Sequence, residues 1–242
     1  AIYFISLFTK FKNIQTQNFL IYTSAIIFLF GTFLAGNRFP FFLFILILVL
    51  FFLFEKQIRT KFLIIFTAII LILSFNLSSN KHIVTHYSSF VDRGIEIKDY
   101  VLKRIKSEEY DIPNVYAKEL ETGLLVWENN KVFGGGIKSF YINCTKVISP
   151  VLDKVGNCNT HPHNYYLHIS SELGLIGLLF LLIIFSLIVL RSLNIIFFSE
   201  NITRRKTLLP FFLVFLAEIF PFKTSGSFFT STNSIVLFFF IS

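Results

Sequence analysis

The chain has 242 residues, of which 54% are hydrophobic and 18% aromatic, and its formal net charge is +8. This apolar content excludes an ordinary soluble domain and favours an integral membrane protein. The excess of basic over acidic residues lies in short segments between apolar runs, whereas residues 79–163 carry nearly equal numbers of acidic and basic side chains. Short cytoplasmic loops have such an excess of positive charge, so membrane topology accounts for the net charge and nucleic acid is excluded as a partner.

The apolar runs of the first third predict membrane-spanning helices. Residues 1–8 form the end of one span, and further spans are predicted at residues 19–35, 41–54 and 62–77. These runs are short against the roughly 20 residues that a spanning helix needs, so we expect their ends to extend into neighbouring residues. Because no Met begins the chain and its last residues are apolar, we expect a fragment of a longer protein.

A long polar segment, residues 79–165, follows these spans and is predicted to form one extracytoplasmic loop domain. Its apolar residues recur at helical spacing over residues 95–107, which predicts an amphipathic helix lying on the membrane or on the rest of the domain. Residues 133–140 contain three successive glycines and Lys138. They match neither a Walker loop nor a dinucleotide fingerprint, so either a plain turn or a phosphate-binding cradle of backbone amides is predicted.

The only two cysteines, Cys144 and Cys158, both lie in this loop. An even number in one oxidising compartment indicates a disulfide, which would brace the chain leading to His163. The alternative is a metal site, because Cys158, His161 and His163 offer three ligands within six positions. Their spacing matches no structural zinc pattern, so we expect the disulfide and no metal.

The loop ends in a motif that leads directly into another span. His161, His163, Asn164 and Glu172 precede or begin the apolar run from Leu173 to Leu190. Ionisable groups at a membrane border cost free energy, so we interpret this corner as functional. Gly174 and Gly177 permit the close approach of a neighbouring helix, which would fix the height of His163 at the membrane border.

The last predicted spans are residues 207–220 and 228–242. The predicted fold class is therefore an all-α membrane protein, a multi-span helical bundle with one large extracytoplasmic loop domain. Residues 1–78 form spanning helices with short loops, residues 79–165 the loop domain, and residues 166–242 further spanning helices, truncated at the end.

Two side chains suggest group-transfer chemistry at this border. A neutral imidazole at His163 takes a proton from a hydroxyl, and Asn164 hydrogen-bonds either this histidine or a substrate. Arg38, in the external turn Gly36–Pro40, presents the planar charged fork that suits a pyrophosphate. Glu172 would orient an imidazole or pair with Arg38. We expect the side chains of Arg38 and His163 to meet at the membrane rim.

The corner resembles the O-antigen ligase and polymerase family. The family's signature is a histidine, then Asn, Ser or Gln, then nine residues and Gly-x-x-Gly followed by a small polar residue or Val. His163, Asn164, Gly174 and Gly177 match it, and Leu178 departs at the last position. Residues 134–140 are similar to the family's Gly-x-Gly-x-x-Ser-Phe stretch, and Arg38 to its arginine at the membrane border.

The resemblance implies an inverting, metal-independent and cofactor-free membrane glycosyltransferase in the bacterial inner membrane, multi-pass, with its active site facing the periplasm. His163 would be the general base on a hydroxyl acceptor of the lipid A-core type. Undecaprenyl pyrophosphate would carry the donor glycan, and membrane lipid would be the other partner. Arg38, Asn164, His161, Glu172 and Lys138 are predicted to bind substrate, and the signature glycines and both cysteines to be structural.

Other functions fit the same motif. An O-antigen or polysaccharide polymerase and a protein O-oligosaccharyltransferase also use hydroxyl acceptors, so the residues do not separate them from a ligase. A transporter or a lipid-glycan scaffold without turnover belongs to another class. Transporters place their binding residues near the membrane midplane, whereas the ionisable residues here gather at the border, which favours an enzyme.

Overall fold

The computed structural model describes residues 23, 26–36, 38–54, 63, 67, 70–71, 74, 81–147, 158–223 and 226–230. Its helices are α1 (Arg38–Phe54), α2 (Lys81–Ile105), α3 (Val115–Asn129), α4 (Phe140–Cys144), α5 (Tyr165–Phe198) and α6 (Ile202–Glu218), and residues 26–34 are also helical. All the regular secondary structure in this part of the chain is helical, as the sequence predicts. The span ending at residue 8, most of the predicted spans 62–77 and 228–242, and the basic residues at 10, 12 and 56–61 lie outside it.

The chain divides into two compact units, residues 1–90 and residues 91–242, and the boundary falls within α2. The predicted division at residues 78 and 165 stays a prediction.

The first unit has an aromatic core between residues 26–34 and α1. Leu29, Phe33 and Phe41 are buried together, and Tyr87 of α2 packs against them. The ring of Tyr87 stacks on Phe33 at 4.9 Å, and its hydroxyl donates to the Phe33 carbonyl oxygen at 3.0 Å. Gly36 makes the turn between the two helices with a φ of 67°, in the left-handed region that favours glycine. The helix α1 therefore begins at Arg38, earlier than the predicted residue 41.

In the second unit, the end of α2 packs on α3 through a buried carboxylate. Glu121 is fully buried and accepts hydrogen bonds from the hydroxyls of Tyr100 and Tyr110 and, at 2.7 Å, from Nε of Arg104. Nη2 of the same guanidinium donates to Glu128 at 3.0 Å. Burial, and next the Glu121 carboxylate, raise the pKa of Tyr100 and of Tyr110 above the ordinary value for tyrosine.

This packing differs from the predicted amphipathic helix over residues 95–107. The face of α2 that is buried centres on Tyr100 and Arg104, whereas Leu102 and Ile105, which were predicted to lie on the apolar face, are exposed. The periodicity of apolar residues did not predict this buried face, because its central residues are a tyrosine and an arginine.

The helix α3 packs along the first turns of α5. A Cβ added to Gly123 would lie 3.1 Å from Leu167 and 3.2 Å from Pro162, so the two backbones approach closely there. Cys144 of α4 is joined to Cys158 in a disulfide, with their Cα atoms 5.6 Å apart. The structure thus forms the predicted pairing, and it takes the Cys158 thiolate away from the alternative metal site.

Among the described residues, α5 alone is long and apolar enough to cross a membrane, and α1 is apolar but only 17 residues long. Within α5, Gly174 has φ 67° and ψ −164°, so the helix is broken there. The part from Leu175 to Phe198 would extend roughly 36 Å at 1.5 Å per residue, enough for the hydrocarbon core of a bilayer. The helix continues past Leu190, where the span was predicted to end.

The helix α6 packs against α5 through an apolar cluster that contains Ile169, Leu181, Phe185 and Phe215. It ends at Glu218, just before Pro221, where the sequence predicts an interruption. The multi-span bundle and the separate loop domain stay predictions.

Candidate functional site

The break in α5 at Gly174 is filled by the glycine-rich turn, residues 131–138. The carbonyl oxygens of Ser171 and Glu172, which a continuous helix would use itself, accept from the amides of Gly135 and Gly136 at 3.0 and 2.8 Å. On the other side of the break, the amides of Leu175 and Ile176 donate to the carbonyl oxygens of Lys131 and Val132. The turn therefore restores backbone hydrogen bonds that the break would leave unmade.

Two glycines make this interlock possible. A Cβ on Gly174 would lie 2.2 Å from the Val132 carbonyl oxygen, and a Cβ on Gly134 would lie 2.4 Å from the Glu172 carbonyl oxygen. The sequence predicts that Gly174 admits close backbone approach, but the partner is the turn and not a neighbouring helix. At Gly177 a Cβ would meet the side chain of Leu173, 2.3 Å away, on the other side of the same break.

The side chain of Glu172 forms hydrogen bonds with the end of the same turn. It is 1% exposed, and its two oxygens accept from the amides of Lys138 at 2.7 Å and Phe140 at 3.4 Å. It also lies 3.1 Å from Nε2 of His168. Since Nδ1 of His168 accepts from the Phe228 amide at 3.1 Å, the ring hydrogen lies on Nε2 and is donated to Glu172. Three N–H donors thus compensate the burial of this carboxylate.

Asn164 is the N-cap of α5. Its side-chain oxygen accepts from the amides of Tyr166 and Leu167 at 3.0 and 3.2 Å, and its Nδ2 donates to the Pro221 carbonyl oxygen at 2.7 Å. Asparagine is a favoured N-cap because it satisfies amides that have no partner within the helix. The side chain is therefore bonded to backbone groups, and its predicted role in binding substrate stays a prediction.

His163 precedes this cap and adopts a left-handed backbone conformation with φ 52°. Its side chain is 37% exposed, and its Nε2 lies 3.8 Å from Oε1 of Glu119, on α3. Glu119 in turn accepts from Nδ2 of Asn159 at 3.0 Å. The geometry brings a partly exposed imidazole beside a carboxylate that is itself held in place.

The other predicted histidine, His161, lies between the two imidazoles already described. Its ring centroid is 4.4 Å from that of His163 and 6.0 Å from that of His168, and its Nδ1 is 2.9 Å from the Thr160 hydroxyl. The ring of His161 therefore lies near both the partly exposed ring of His163 and the buried ring of His168.

A second polar cluster joins the start of α5 to the end of α6. The Tyr165 hydroxyl donates to Glu218 at 2.9 Å, and Lys223 donates to the other oxygen of that carboxylate at 2.5 Å. The Tyr166 hydroxyl donates to the Ile219 carbonyl oxygen. These contacts, with the bond from Asn164 to Pro221, fix the segment after α6 against the N-terminal end of α5.

A family profile described as O-antigen ligase matches residues 23–182, more than half of the chain. The chain belongs to the O-antigen ligase family. This confirms the resemblance predicted from the residues around His163 and Gly174. The family is a membrane protein family, and its members are glycosyltransferase-like ligases that carry out glycan transfer of the ligase or polymerase type on polysaccharide or lipid-linked substrates. Searches of curated proteins and of solved structures returned no significant match.

Arg38, which the resemblance predicts to be the arginine at the membrane border of O-antigen ligases, lies in the first unit. Its Nη2 is 2.7 Å from Nδ1 of His86, whose Nε2 lies 3.2 Å from the Gly36 carbonyl oxygen. Nε of Arg38 also donates to Nε2 of the same ring at 2.9 Å, so the guanidinium contacts both ring nitrogens. The ring of His86 is half-buried and bonded to Arg38. The role of Arg38 on pyrophosphate stays a prediction.

The glycine-rich turn does not offer the phosphate cradle considered from the sequence. The amides of Gly135, Gly136 and Lys138 already donate to Ser171 and Glu172. The side chain of Lys138 is exposed, and its predicted contact with substrate stays a prediction.

Sequence reasoning missed three residues that the structure brings to this site of the O-antigen ligase fold. Glu119 and Glu218 are far from His163 and Tyr165 along the chain, and no motif marks them. His168 was overlooked although it stands four residues before Glu172, which places both on one face of a helix. That spacing was the signal for the buried pair.

Proposed function

We propose that the protein transfers a glycan from undecaprenyl pyrophosphate to a hydroxyl acceptor at the periplasmic face of the bacterial inner membrane, with lipid A-core as the acceptor. The observation that carries this proposal is the partly exposed imidazole of His163, 3.8 Å from the Glu119 carboxylate at the N-terminal end of α5. Membership of the O-antigen ligase family supports the class of reaction.

In the proposed step, His163 removes the proton from the acceptor hydroxyl. The acceptor oxygen attacks the anomeric carbon of the donor sugar from the face opposite the carrier, and the bond between that carbon and the pyrophosphate oxygen breaks. Undecaprenyl pyrophosphate leaves with the bonding electron pair, and the configuration at the anomeric carbon is inverted. The acceptor proton stays on the imidazole until solvent or the leaving group takes it up.

Glu119 supports this role by favouring one tautomer of His163. A carboxylate beside Nε2 favours the ring form with hydrogen on Nε2, which leaves the lone pair on Nδ1 for the acceptor hydroxyl. Asn159 holds the carboxylate from the other side. The carboxylate also stabilises the imidazolium that forms once the proton has been transferred.

The direct test is His163→Ala in the purified protein, reconstituted in vesicles with a carrier-linked glycan and a lipid A-core acceptor. A positioned base contributes roughly 10²–10⁴-fold, so we expect the rate of glycan attachment to fall by a factor in this range. Tyr116→Ala is the control, because Tyr116 is an exposed residue of α3.

The products separate this proposal from its alternatives. Glycan attached to lipid A-core supports the ligase, whereas longer carrier-linked glycan without attachment would indicate a polymerase. Attachment by His163→Ala at the parent rate would contradict the role of His163. Binding of the carrier-linked glycan by the parent protein without release of undecaprenyl pyrophosphate would contradict the enzyme altogether.

A further inference from the structure

The glycine-rich turn carries three largely exposed apolar side chains. Phe133, Ile137 and Val132 are 77%, 61% and 51% exposed. The backbone of the turn is bound to α5, whereas these three side chains remain exposed. Several apolar side chains exposed together on one short turn indicate a surface that contacts an apolar partner.

The hydrogen bonds of the turn set its height along α5. The carbonyl oxygens of Lys131 and Val132 accept from the amides of Leu175 and Ile176, the first two residues after the break. The apolar segment that is long enough to cross a bilayer begins at these residues, and Leu175 and Ile176 are themselves 43% and 40% exposed. The turn therefore lies beside the first turn of the span, at the level where a bilayer would begin.

The neighbours of the turn have the chemistry of a membrane interface. Trp127, the only tryptophan of the chain, donates from Nε1 to the Lys131 carbonyl oxygen at 3.1 Å. Tryptophan is enriched where hydrocarbon meets headgroups. Lys131 and Lys138, at the two ends of the turn, are exposed, and long basic side chains at such a level reach outward to lipid phosphates.

We propose that the turn Lys131–Lys138 is a lipid anchor, which inserts Phe133 and Ile137 into the leaflet beside the start of α5. The occupant of this surface is the lipid of the surrounding bilayer, because the turn is fixed by hydrogen bonds to the entry point of the span. The anchor also bears on the site, since Glu172 binds the same turn through its carbonyl oxygen and its carboxylate. The anchoring does not depend on the transfer reaction proposed above.

The test uses the substitution Phe133→Cys, labelled with an environment-sensitive nitrobenzoxadiazole fluorophore. Both natural cysteines are in the disulfide, so the introduced thiol is the only one that reacts. The labelled chain is reconstituted in vesicles of phosphatidylcholine and phosphatidylglycerol. We expect blue-shifted emission that nitroxide-labelled phosphatidylcholine quenches and that aqueous iodide does not.

Tyr116→Cys, labelled in the same way, is the matched control. Tyr116 lies near the beginning of α3, and the turn follows the end of that helix, so its label should emit as in water and be quenched by iodide. Ile137→Cys repeats the test and serves if Phe133→Cys does not fold.

Three results would overturn the proposal. Quenching of the labels at positions 133 and 137 by iodide would place the turn in water. Protection from both quenchers would mean that protein covers it. Equal quenching of the label at position 116 by the nitroxide lipid would mean that contact with lipid is not specific to the turn.

Discussion

His163 and His168 lie five residues apart, but their imidazoles have different surroundings. His168 is 2% exposed, and both of its nitrogens are used, one by the Phe228 amide and the other by Glu172. A ring bonded in this way has no free lone pair for a substrate hydroxyl. His163 is partly exposed and has a carboxylate near Nε2 alone. The difference assigns a structural role to His168 and agrees with the proposal that His163 transfers the proton.

The contact between Glu119 and His163 can be tested with a single substitution. Glu119→Gln keeps the size of the side chain but removes the charge that favours the Nε2 tautomer of His163. We expect kcat for glycan attachment to fall about tenfold, less than the roughly 10²–10⁴-fold contributed by the base itself, with little change in KM for the acceptor. Steady-state kinetics on reconstituted protein measure both constants.

Glu108→Gln is the control for that variant, because Glu108 is an exposed carboxylate on the loop before α3. It should leave both constants unchanged. A rise in KM with unchanged kcat in Glu119→Gln would show that Glu119 serves binding and not the orientation of His163.

The interlock of α5 with the glycine-rich turn is the element that organises the site. The break at Gly174 frees carbonyl oxygens and amides on both sides, and residues 131–136 bond to them. The signature glycine at 174 and the glycine-rich stretch, which are separate motifs along the sequence, are thus two halves of one structure. Their joint role explains how α5, which begins at Tyr165, is broken just before its apolar part from Leu175.

Gly174→Ala tests the interlock. At φ 67° and ψ −164° an alanine is strained, and its Cβ would lie 2.2 Å from the Val132 carbonyl oxygen. We expect a loss of unfolding free energy of about 2–5 kcal/mol from strain and overpacking together. Thermal unfolding in detergent measures this as a lower Tm.

The matched control is Gly94→Ala, in α2. A Cβ at this helical glycine meets nothing within 4 Å, and alanine favours a helix over glycine by about 1 kcal/mol. We therefore expect an unchanged or slightly higher Tm. A Tm of Gly174→Ala as high as that of Gly94→Ala would contradict the interlock.

The sequence predicted these elements unevenly, for physical reasons. The apolar run predicted that α5 could span a membrane, because a spanning helix needs a long run of apolar residues. The motif from His163 to Gly177 was found because its residues are close along the chain. The contact of His163 with Glu119 was not predicted, since it depends on how α3 packs on α5. The break at Gly174 was missed because a single glycine in an apolar run also fits a continuous helix.

At the scale of the whole molecule, the described parts of the two compact units differ in their interior contacts. In the described part of the first unit, aromatic rings pack around Phe33, and Arg38 contacts His86. The second contains the buried carboxylates Glu121 and Glu172 and the disulfide. The composition predicted a membrane protein for the whole chain. It could not predict this contrast, because amino-acid composition does not show which residues distant along the chain are in contact.

The disulfide makes the contrast testable. Cys144 and Cys158 are 14 positions apart, and the bridge ties α4 to the chain that leads to His161 and His163. In the chain-entropy model, closing a loop of this size stabilises the folded state by about 3 kcal/mol. We therefore expect the double variant Cys144→Ser/Cys158→Ser to lose stability in the second unit, with faster hydrogen exchange in α4 and at the beginning of α5.

Neither cysteine belongs to residues 1–90, so peptides from the described part of the first unit should exchange at the parent rate. A reducing agent should reproduce the effect in the parent protein and change nothing in the double variant. Equal acceleration of exchange in both units would contradict the assignment of the bridge to local stability, because the two units would then unfold as one.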